Sequence, residues 1–239
     1  MTRHVLLNNV AHKGLRVVTT RSAAFGDDVM SAIVVPSEFR RVQACYPIVF
    51  QKSSDTGQFY PLALFGFQER ENLFLTPAGW EASYIPLSLR RHPFLIGGRR
   101  AEQDSAPSQL VVHIDLDSPR ISESQGEALF LEYGGNTDYL THACAMLHEL
   151  HVGLEATPAF VEALLGLDLL ESFVLDVDLN DGSRNRLAGF YTVHEEHLRS
   201  LAGTDVARLH AQGVLELAYM VVASTVHFRD LIDRRNRRV

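Results

Sequence analysis

The chain has 239 residues, of which 46% are hydrophobic and 21% charged, and these globular values exclude extended disorder and fibrous architecture. Its 29 acidic and 22 basic residues give a formal net charge of -7, which argues against general binding to nucleic acid or to an acidic membrane. Two cysteines, Cys45 and Cys144, together with first residues that lack the apolar run of a secretion signal, lead us to expect a reduced, cytoplasmic protein. A membrane-spanning segment is not expected either, because the apolar stretch 214–226 is too short to cross a bilayer.

The first half of the chain is predicted to be mostly sheet. The runs at 46–50 and 59–67 are β-prone and flank the polar loop Ser53–Gly57, which is typical of a hairpin. Further strands are predicted at 29–35 and at 110–114, where the turn residues Asp117, Ser118 and Pro119 follow. The polar stretch Arg99–Ser108 is predicted to be an exposed loop.

The second half is predicted to be mainly helical. From Asp138, apolar residues recur at helical spacing to Leu154, and Thr157 followed by Pro158 is typical of the start of a second helix ending near Leu170. The runs at 173–179 and 187–193 flank the turn-forming sequence Asn180-Asp181-Gly182-Ser183, which predicts a hairpin.

After this hairpin, His194–Leu201 is predicted to be a short helix that Gly203 ends, and Asp205 is expected to cap the next. The last helix is predicted to run unbroken from Val214 to Ile232, with Arg234, Arg235, Arg237 and Arg238 in solvent at its negative pole. We therefore predict an α+β fold in one domain, β-rich over 1–135 and helical with a hairpin over 136–239.

A histidine-rich helical face is the main candidate for a metal site. Cys144, His148, His151 and Glu155 would line one face of a helix and could hold zinc or iron in a metal-dependent oxygenase or hydrolase. His142 or a residue elsewhere would complete such a site. The sequence His148-Glu149-Leu150-His151 is, however, one residue too short for the zinc motif His-Glu-x-x-His. Histidines at the edge of the buried stripe or in solvent are therefore favoured, and the metal site stays an alternative.

Other polar motifs are better explained as turns or are missing. Asp176, Asp178 and Asn180 depart from a calcium loop, because the glycine comes one place late, and Asp115-Leu116-Asp117 is favoured as the start of a turn. Neither a nucleophile elbow, nor a dinucleotide-binding glycine motif, nor a phosphate loop with lysine occurs in the sequence. We therefore predict no catalytic residue and no cofactor.

The segment 80–94 is the main candidate for a binding site. Aromatic and arginine side chains together offer stacking surface and forked donors for carboxylates or phosphates. The predicted binding residues are Trp80, Tyr84, Arg90, Arg91 and His92. The alternative is a rigid loop whose aromatic residues enter the core while its arginines pair with acids.

The same segment resembles the bacterial SapC family. The resemblance continues through residues 46–50, 71–74, 110–115, 189–191 and 213–219, and so spans nearly the whole chain. It implies an accessory role, because family members look like companions of TonB-dependent receptors, flavin-dependent halogenases and cupin-like oxygenases in nutrient-uptake loci. The family takes its name from a protein linked to surface-layer export, and it offers no active site to transfer.

The leading hypothesis is a non-catalytic accessory or regulatory protein that binds a partner protein, a peptide or a small ligand, but not nucleic acid. One alternative is a metal-dependent enzyme that uses His148, His151 and Glu155. The other is a surface-layer or export component.

Overall fold

The computed structural model describes residues 3–99 and 109–238 and has an α+β fold, as predicted. The strands in chain order are β1 (His4–Leu6), β2 (Arg16–Val17), β3 (Ser31–Ile33), β4 (Ile48–Lys52), β5 (Phe59–Leu64), β6 (Leu75–Thr76), β7 (Gly79–Trp80), β8 (Phe94–Arg99), β9 (Gln109–Asp115), β10 (Ile121–Ser122), β11 (Glu127–Ala128), β12 (Leu170–Asp178) and β13 (Arg184–Val193). The helices are α1 (Phe39–Val42), α2 (Leu87–Arg90), α3 (Asp138–Leu165), α4 (Glu195–Ser200), α5 (Gly203–Ala211), α6 (Val214–Ser224) and α7 (His227–Asn236). Of the loop predicted at Arg99–Ser108, residues 100–108 lie outside the described residues.

The chain divides into two compact units. Unit 1 comprises Met1–Asp27 and Leu87–Val152, and unit 2 comprises Asp28–Pro86 and Gly153–Val239. Each unit therefore takes chain from both the β-rich and the helical part of the sequence.

Unit 1 is built around two small antiparallel sheets. In one, β9 pairs with both β1 and β8, which confirms the strand predicted at 110–114. The apolar side chains of this sheet join the buried face of α3, because Leu140, Ala143 and Leu147 recur at helical spacing and point to one side. The buried core of this unit comprises Val17, Phe94, Ile114, Leu129, Leu140, Ala143 and Leu147.

The second sheet of unit 1, with order β10-β2-β11, fixes the position of Arg120. Ile121 pairs with Val17, and the Val18 amide donates a 2.8 Å hydrogen bond to the Arg120 carbonyl. Gly126 allows this close pairing, because its φ is +87° and a Cβ there would lie 2.2 Å from the Val17 carbonyl oxygen.

Unit 2 contains a five-stranded antiparallel sheet with order β12-β13-β4-β5-β3. Both predicted hairpins are confirmed, with Ile48 opposite Ala63 in one and Asp178 opposite Arg184 in the other. Phe160 from the second part of α3 packs against Phe39 and Phe50, with ring centroids 5.5 and 6.2 Å away. These contacts place α3 over the buried face of the β4–β5 hairpin.

The predicted start of a helix at Thr157 is wrong, since α3 continues through Pro158 to Leu165. Thr157 is buried and its hydroxyl donates to the Gly153 carbonyl at 2.8 Å, so it does not cap a helix. This hydroxyl bond lies beside Pro158, which lacks an amide hydrogen and so leaves one helical hydrogen bond unmade.

The last helix is also not continuous as predicted, because Thr225 and Val226 separate α6 from α7. Buried Ser224 accepts a 2.8 Å hydrogen bond from the Ile48 amide and donates to the Val221 carbonyl. Apolar periodicity does not reveal such a local side-chain bond. Within residues 3–99 and 109–238 no single helix is long and apolar enough to cross a membrane, although Gly203–Ala211 and Val214–Asn236 reach the required length and hydropathy as a bent pair.

The prediction that the terminal arginines lie in solvent holds for Arg237 and Arg238, which are exposed, but it is wrong for Arg234 and Arg235, which are half-buried. Arg238 donates to the carbonyls of Asn72, Leu73 and Leu75 at 3.1, 2.9 and 2.8 Å. Arg234 lies over the Phe74 ring at 4.3 Å from its centroid, and Arg235 pairs with Glu71 at 3.3 Å. These arginines therefore attach the C-terminal helix to residues 71–75 within unit 2.

Candidate functional site

A cavity of about 240 Å³ in unit 1 is the best candidate for a functional site. Its walls come from the segment after β2, the end of α2 and the loop that follows it, the residue before β10, and the first turns of α3. We call it the arginine cavity and define it by its polar lining residues Arg21, Arg90, His92, Arg120, Tyr139 and His142.

Arg120 is the most buried of these residues, with 2% of its side chain exposed. Its Nη1 donates to the carbonyls of Val18 and Thr20 at 3.1 and 2.9 Å, and its Nη2 donates to both carboxylate oxygens of Asp27 at 2.8 and 2.6 Å. The guanidinium carbon also lies 5.1 Å from the centroid of the Phe25 ring. Its Nε, by contrast, has no hydrogen-bond partner among the described residues.

Arg21 shares the same carboxylate. Its Nη1 lies 3.1 Å from Asp27 Oδ1 and 3.3 Å from the Leu89 carbonyl oxygen. Burial and, after it, repulsion from Arg120 lower the pKa of Arg21 from its usual value, although the guanidinium stays charged at neutral pH. One carboxylate, Asp27, is thus bonded to two guanidinium groups.

Arg90 and His92 lie on the exposed side of the arginine cavity. Within the described chain, the Arg90 side chain makes neither a hydrogen bond nor an ion pair. Loss of solvation, followed by repulsion from Arg91, Arg120 and Arg21, lowers the pKa of His92 to about 4. His92 is therefore neutral at pH 7 and offers both a donor and an acceptor.

Two side chains of α3 complete the polar lining. Burial raises the pKa of Tyr139 to about 12, against the opposing effect of Arg21 and Arg120, so its hydroxyl keeps its proton. His142 Nδ1 lies 2.6 Å from the Asp138 carbonyl oxygen. Because a carbonyl only accepts, Nδ1 is the donor of this hydrogen bond, and Nε2 makes no hydrogen bond to the described residues.

The charge balance of the arginine cavity favours an anion. The guanidinium groups of Arg21, Arg90 and Arg120 carry three positive charges, and the Asp27 carboxylate offsets one of them. Guanidinium groups recognise carboxylates and phosphates through paired N–H donors, and partial burial strengthens the attraction. A small anion is therefore the ligand that this lining suits best.

The five predicted binding residues fall into different environments. Arg90 and His92 line the arginine cavity, whereas Arg91 donates from Nη1 to the Phe94 carbonyl at 3.0 Å. Trp80 and Tyr84 belong to unit 2, where Trp80 Nε1 donates to the Tyr46 hydroxyl at 2.7 Å and the buried Tyr84 donates to Glu38 at the same distance. The two aromatic residues therefore have partners inside unit 2, as the rigid-loop alternative expected.

Unit 2 has a larger cavity of about 420 Å³, lined by residues of 44–45, 81–83 and α7 together with Phe74. Several of its charges are already paired. Arg234 pairs with Glu81 at 3.3 Å, and His227 Nδ1 lies 2.7 Å from an Asp230 carboxylate oxygen. This internal neutralisation gives the lining no clear preference for a ligand charge.

The histidine-rich face of α3 does not form a metal centre in the described structure. His148 and Glu155 are exposed, and Cys144 and His151 are half-buried. No group of three or more His, Cys, Asp or Glu side chains in residues 3–99 and 109–238 is arranged to hold a metal ion.

The acidic motifs form turns and surface pairs, as the favoured interpretation predicted. Asp115 Oδ1 accepts from the Asp117 amide at 3.1 Å, and Asp117 accepts from the Arg3 amide at 2.9 Å. Asp178 pairs across its hairpin with Arg184 at 2.7 Å.

Sequence reasoning missed Arg21, Asp27, Arg120 and Tyr139 and considered His142 only as a further metal ligand. Three separate parts of the chain contribute these residues, 21–27, Arg120 and 139–142, and no spacing rule connects the three parts. Arg120 stands directly before Ile121, which pairs with buried Val17, but neither this pairing nor the burial of Arg120 can be read from the sequence. No local signal therefore marks this position.

Comparison with known proteins identifies the family. The SapC family model matches residues 7–231, so the chain belongs to this family, as its sequence resemblance indicated. Neither the comparison with curated proteins nor the comparison with solved structures gave a match.

Proposed function

We propose that this member of the SapC family is a non-catalytic accessory protein that binds a small anionic molecule in the arginine cavity. The observation that carries the proposal is the excess of guanidinium charge there, since Arg21, Arg90 and Arg120 face one bonded carboxylate, Asp27. The proposed role is still that of a cytoplasmic accessory protein, as the sequence led us to expect, and the proposed ligand is negatively charged.

The state of the donors supports binding. Asp27 and two carbonyls hold the Arg120 guanidinium in place, and Asp27 also holds Arg21. Donors fixed before a ligand arrives lose little conformational freedom on binding. The exposed Arg90 side chain would move towards the bound anion, and its guanidinium group would donate two further hydrogen bonds to it.

Arg90→Gln tests the proposal, because Arg90 is exposed and its loss leaves no internal partner unpaired. The wild-type chain would be titrated calorimetrically at low ionic strength with phosphate, sulfate, malonate and acetate. At least one anion should bind, and Arg90→Gln should weaken its affinity about tenfold or more, as expected for a lost charge-assisted hydrogen bond.

Arg3→Gln is the matched control, since Arg3 is an exposed arginine of unit 1 outside the arginine cavity. It should bind the same anion with wild-type affinity. The proposal is wrong if none of the four anions binds, or if the two variants lose affinity equally.

A further inference from the structure

We infer that the anion bound in the arginine cavity is the doubly charged phosphoryl group of a small phosphomonoester. This inference rests on the proposed function and restricts the proposed small anion to one chemical class. It follows from the number of uncommitted donors, the excess charge and the size of the cavity.

The donors left over in the arginine cavity exceed what one carboxylate can use. Arg120, which lines the cavity, has a buried Nε without an acceptor in the described structure, and Arg21 commits only its Nη1. Arg90 and the Tyr139 hydroxyl make no hydrogen bonds to described residues. A phosphomonoester presents three terminal oxygens, whereas a carboxylate presents two, so the phosphoryl group satisfies more of these donors.

The excess charge also matches this group. Three guanidinium charges less the Asp27 carboxylate leave two positive charges at the cavity. A phosphomonoester carries about -1.5 to -2 at pH 7, while a sulfate ester or a single carboxylate carries one charge. Of these three groups, the phosphomonoester comes nearest to balancing the arginine cavity.

The cavity volume limits the alcohol part of the ester. About 240 Å³ is below the roughly 300–1,000 Å³ of pockets for drug-sized molecules. Val18, Ala143 and Met146 provide an apolar wall for a short carbon chain, and His142 Nε2 can accept a hydrogen bond from a hydroxyl. The ligand class is therefore a short, hydroxylated alkyl phosphate rather than a nucleotide.

Three small anions of similar size distinguish the effect of the ligand's charge on affinity from the effect of its shape. Methyl phosphate is a tetrahedral dianion at pH 7.5, methyl sulfate is a tetrahedral monoanion, and malonate is a dianion with flat carboxylates. Calorimetric titration should show methyl phosphate binding at least tenfold more tightly than either of the other two. Arg90→Gln should remove most of this preference, and Arg3→Gln should retain it.

Each other result contradicts a defined part of the account. If malonate or methyl sulfate binds as tightly as methyl phosphate, the phosphoryl inference fails while the anion site remains. If methyl phosphate binds most tightly but equally well to Arg90→Gln, it occupies another place and the inference fails. If no probe or simple anion binds, the proposed function fails as well.

Discussion

Asp27 accepts hydrogen bonds from Arg120 through both of its carboxylate oxygens, at 2.8 and 2.6 Å, while 4% and 2% of the two side chains are exposed. The pair joins residues 93 positions apart in the sequence. It fixes one guanidinium group of the arginine cavity and, through Arg21, partly fixes a second.

Asp27→Asn should destabilise the protein strongly, because it leaves the Arg120 guanidinium buried without a counter-charge. Breaking a buried ion pair in this way typically costs about 3–5 kcal/mol. Urea unfolding followed by circular dichroism measures the loss.

Asp28→Asn is the neighbouring control. Asp28 pairs with Arg70 at 2.8 Å, but that arginine side chain is 80% exposed. Solvent screens such a pair, so the control should change the free energy of unfolding much less. If both variants lose the same free energy of unfolding, the Asp27–Arg120 pair does not contribute the expected stability.

The stability of the protein should fall on acidification through the titration of His92. Its pKa in the folded protein, about 4, is lower than its usual value of 6.5, so the folded state holds fewer protons between these two values. The stability contribution is complete above about pH 6.5 and is lost as the pH falls towards 4. Arg91, Arg120, Arg21 and Asp27 are the charged groups that act on this imidazole.

His92→Asn should therefore lose less thermal stability than the wild-type chain between pH 7.5 and 4.5. Melting temperatures across this range measure the difference. His148→Asn, which removes an exposed imidazole of the same unit, should keep the wild-type profile. If the melting temperatures of the wild type and of His92→Asn fall in parallel as the pH is lowered, the acid-dependent loss of stability does not come from His92.

Tyr84→Phe should lower stability without affecting anion binding. The Tyr84 hydroxyl donates to buried Glu38 at 2.7 Å, and loss of a buried hydrogen bond typically costs about 1–3 kcal/mol. Tyr219→Phe is the control, because Tyr219 is 50% exposed. Tyr84→Phe with wild-type stability and weakened anion affinity would instead favour the binding role predicted from the sequence.

Arg238→Gln should loosen the attachment of the C-terminal helix within unit 2. Arg238 donates to three backbone carbonyls in residues 72–75, and we expect a loss of about 1–2 kcal/mol, since the side chain is partly solvated. Hydrogen exchange of the residue 71–75 amides should accelerate. The neighbouring Arg237 side chain makes no such bonds, so Arg237→Gln should leave the exchange of these amides unchanged. Equal exchange rates in the two variants would contradict the attachment of the helix through Arg238.

The sequence predicts the elements of this fold better than the way in which they associate. β-prone runs on either side of turn-forming residues identify the β4–β5 and β12–β13 hairpins, and helical periodicity identifies the start of α3. They fail near Thr157, where α3 continues, and near Ser224, where α6 ends, and at both places a buried hydroxyl bonds to the helix backbone in a way that periodicity does not reveal.

The candidate site is predicted only in part. Arg90 and His92 stand in a segment whose composition indicates recognition, so sequence reasoning finds them. Arg21, Asp27 and Arg120 become a cluster only after β2 pairs with β10, and that pairing of two-residue strands leaves no periodic signal. The sequence patterns therefore could not predict the site, because they do not show which short strands pair over a long distance in the chain.

Nitrogen-15 NMR of the arginine Nε–H groups tests the central claim most directly, because it reports on each guanidinium separately. On titration with inorganic phosphate, the resonances of Arg21, Arg90 and Arg120 should shift together with one affinity, with Arg120 Nε gaining the acceptor that the described structure lacks. Arg3 and Arg16, which lie in unit 1 outside the arginine cavity, should stay in place. Unshifted resonances for the three cavity arginines, or equal shifts at Arg3 and Arg16, would contradict an anion-binding site there.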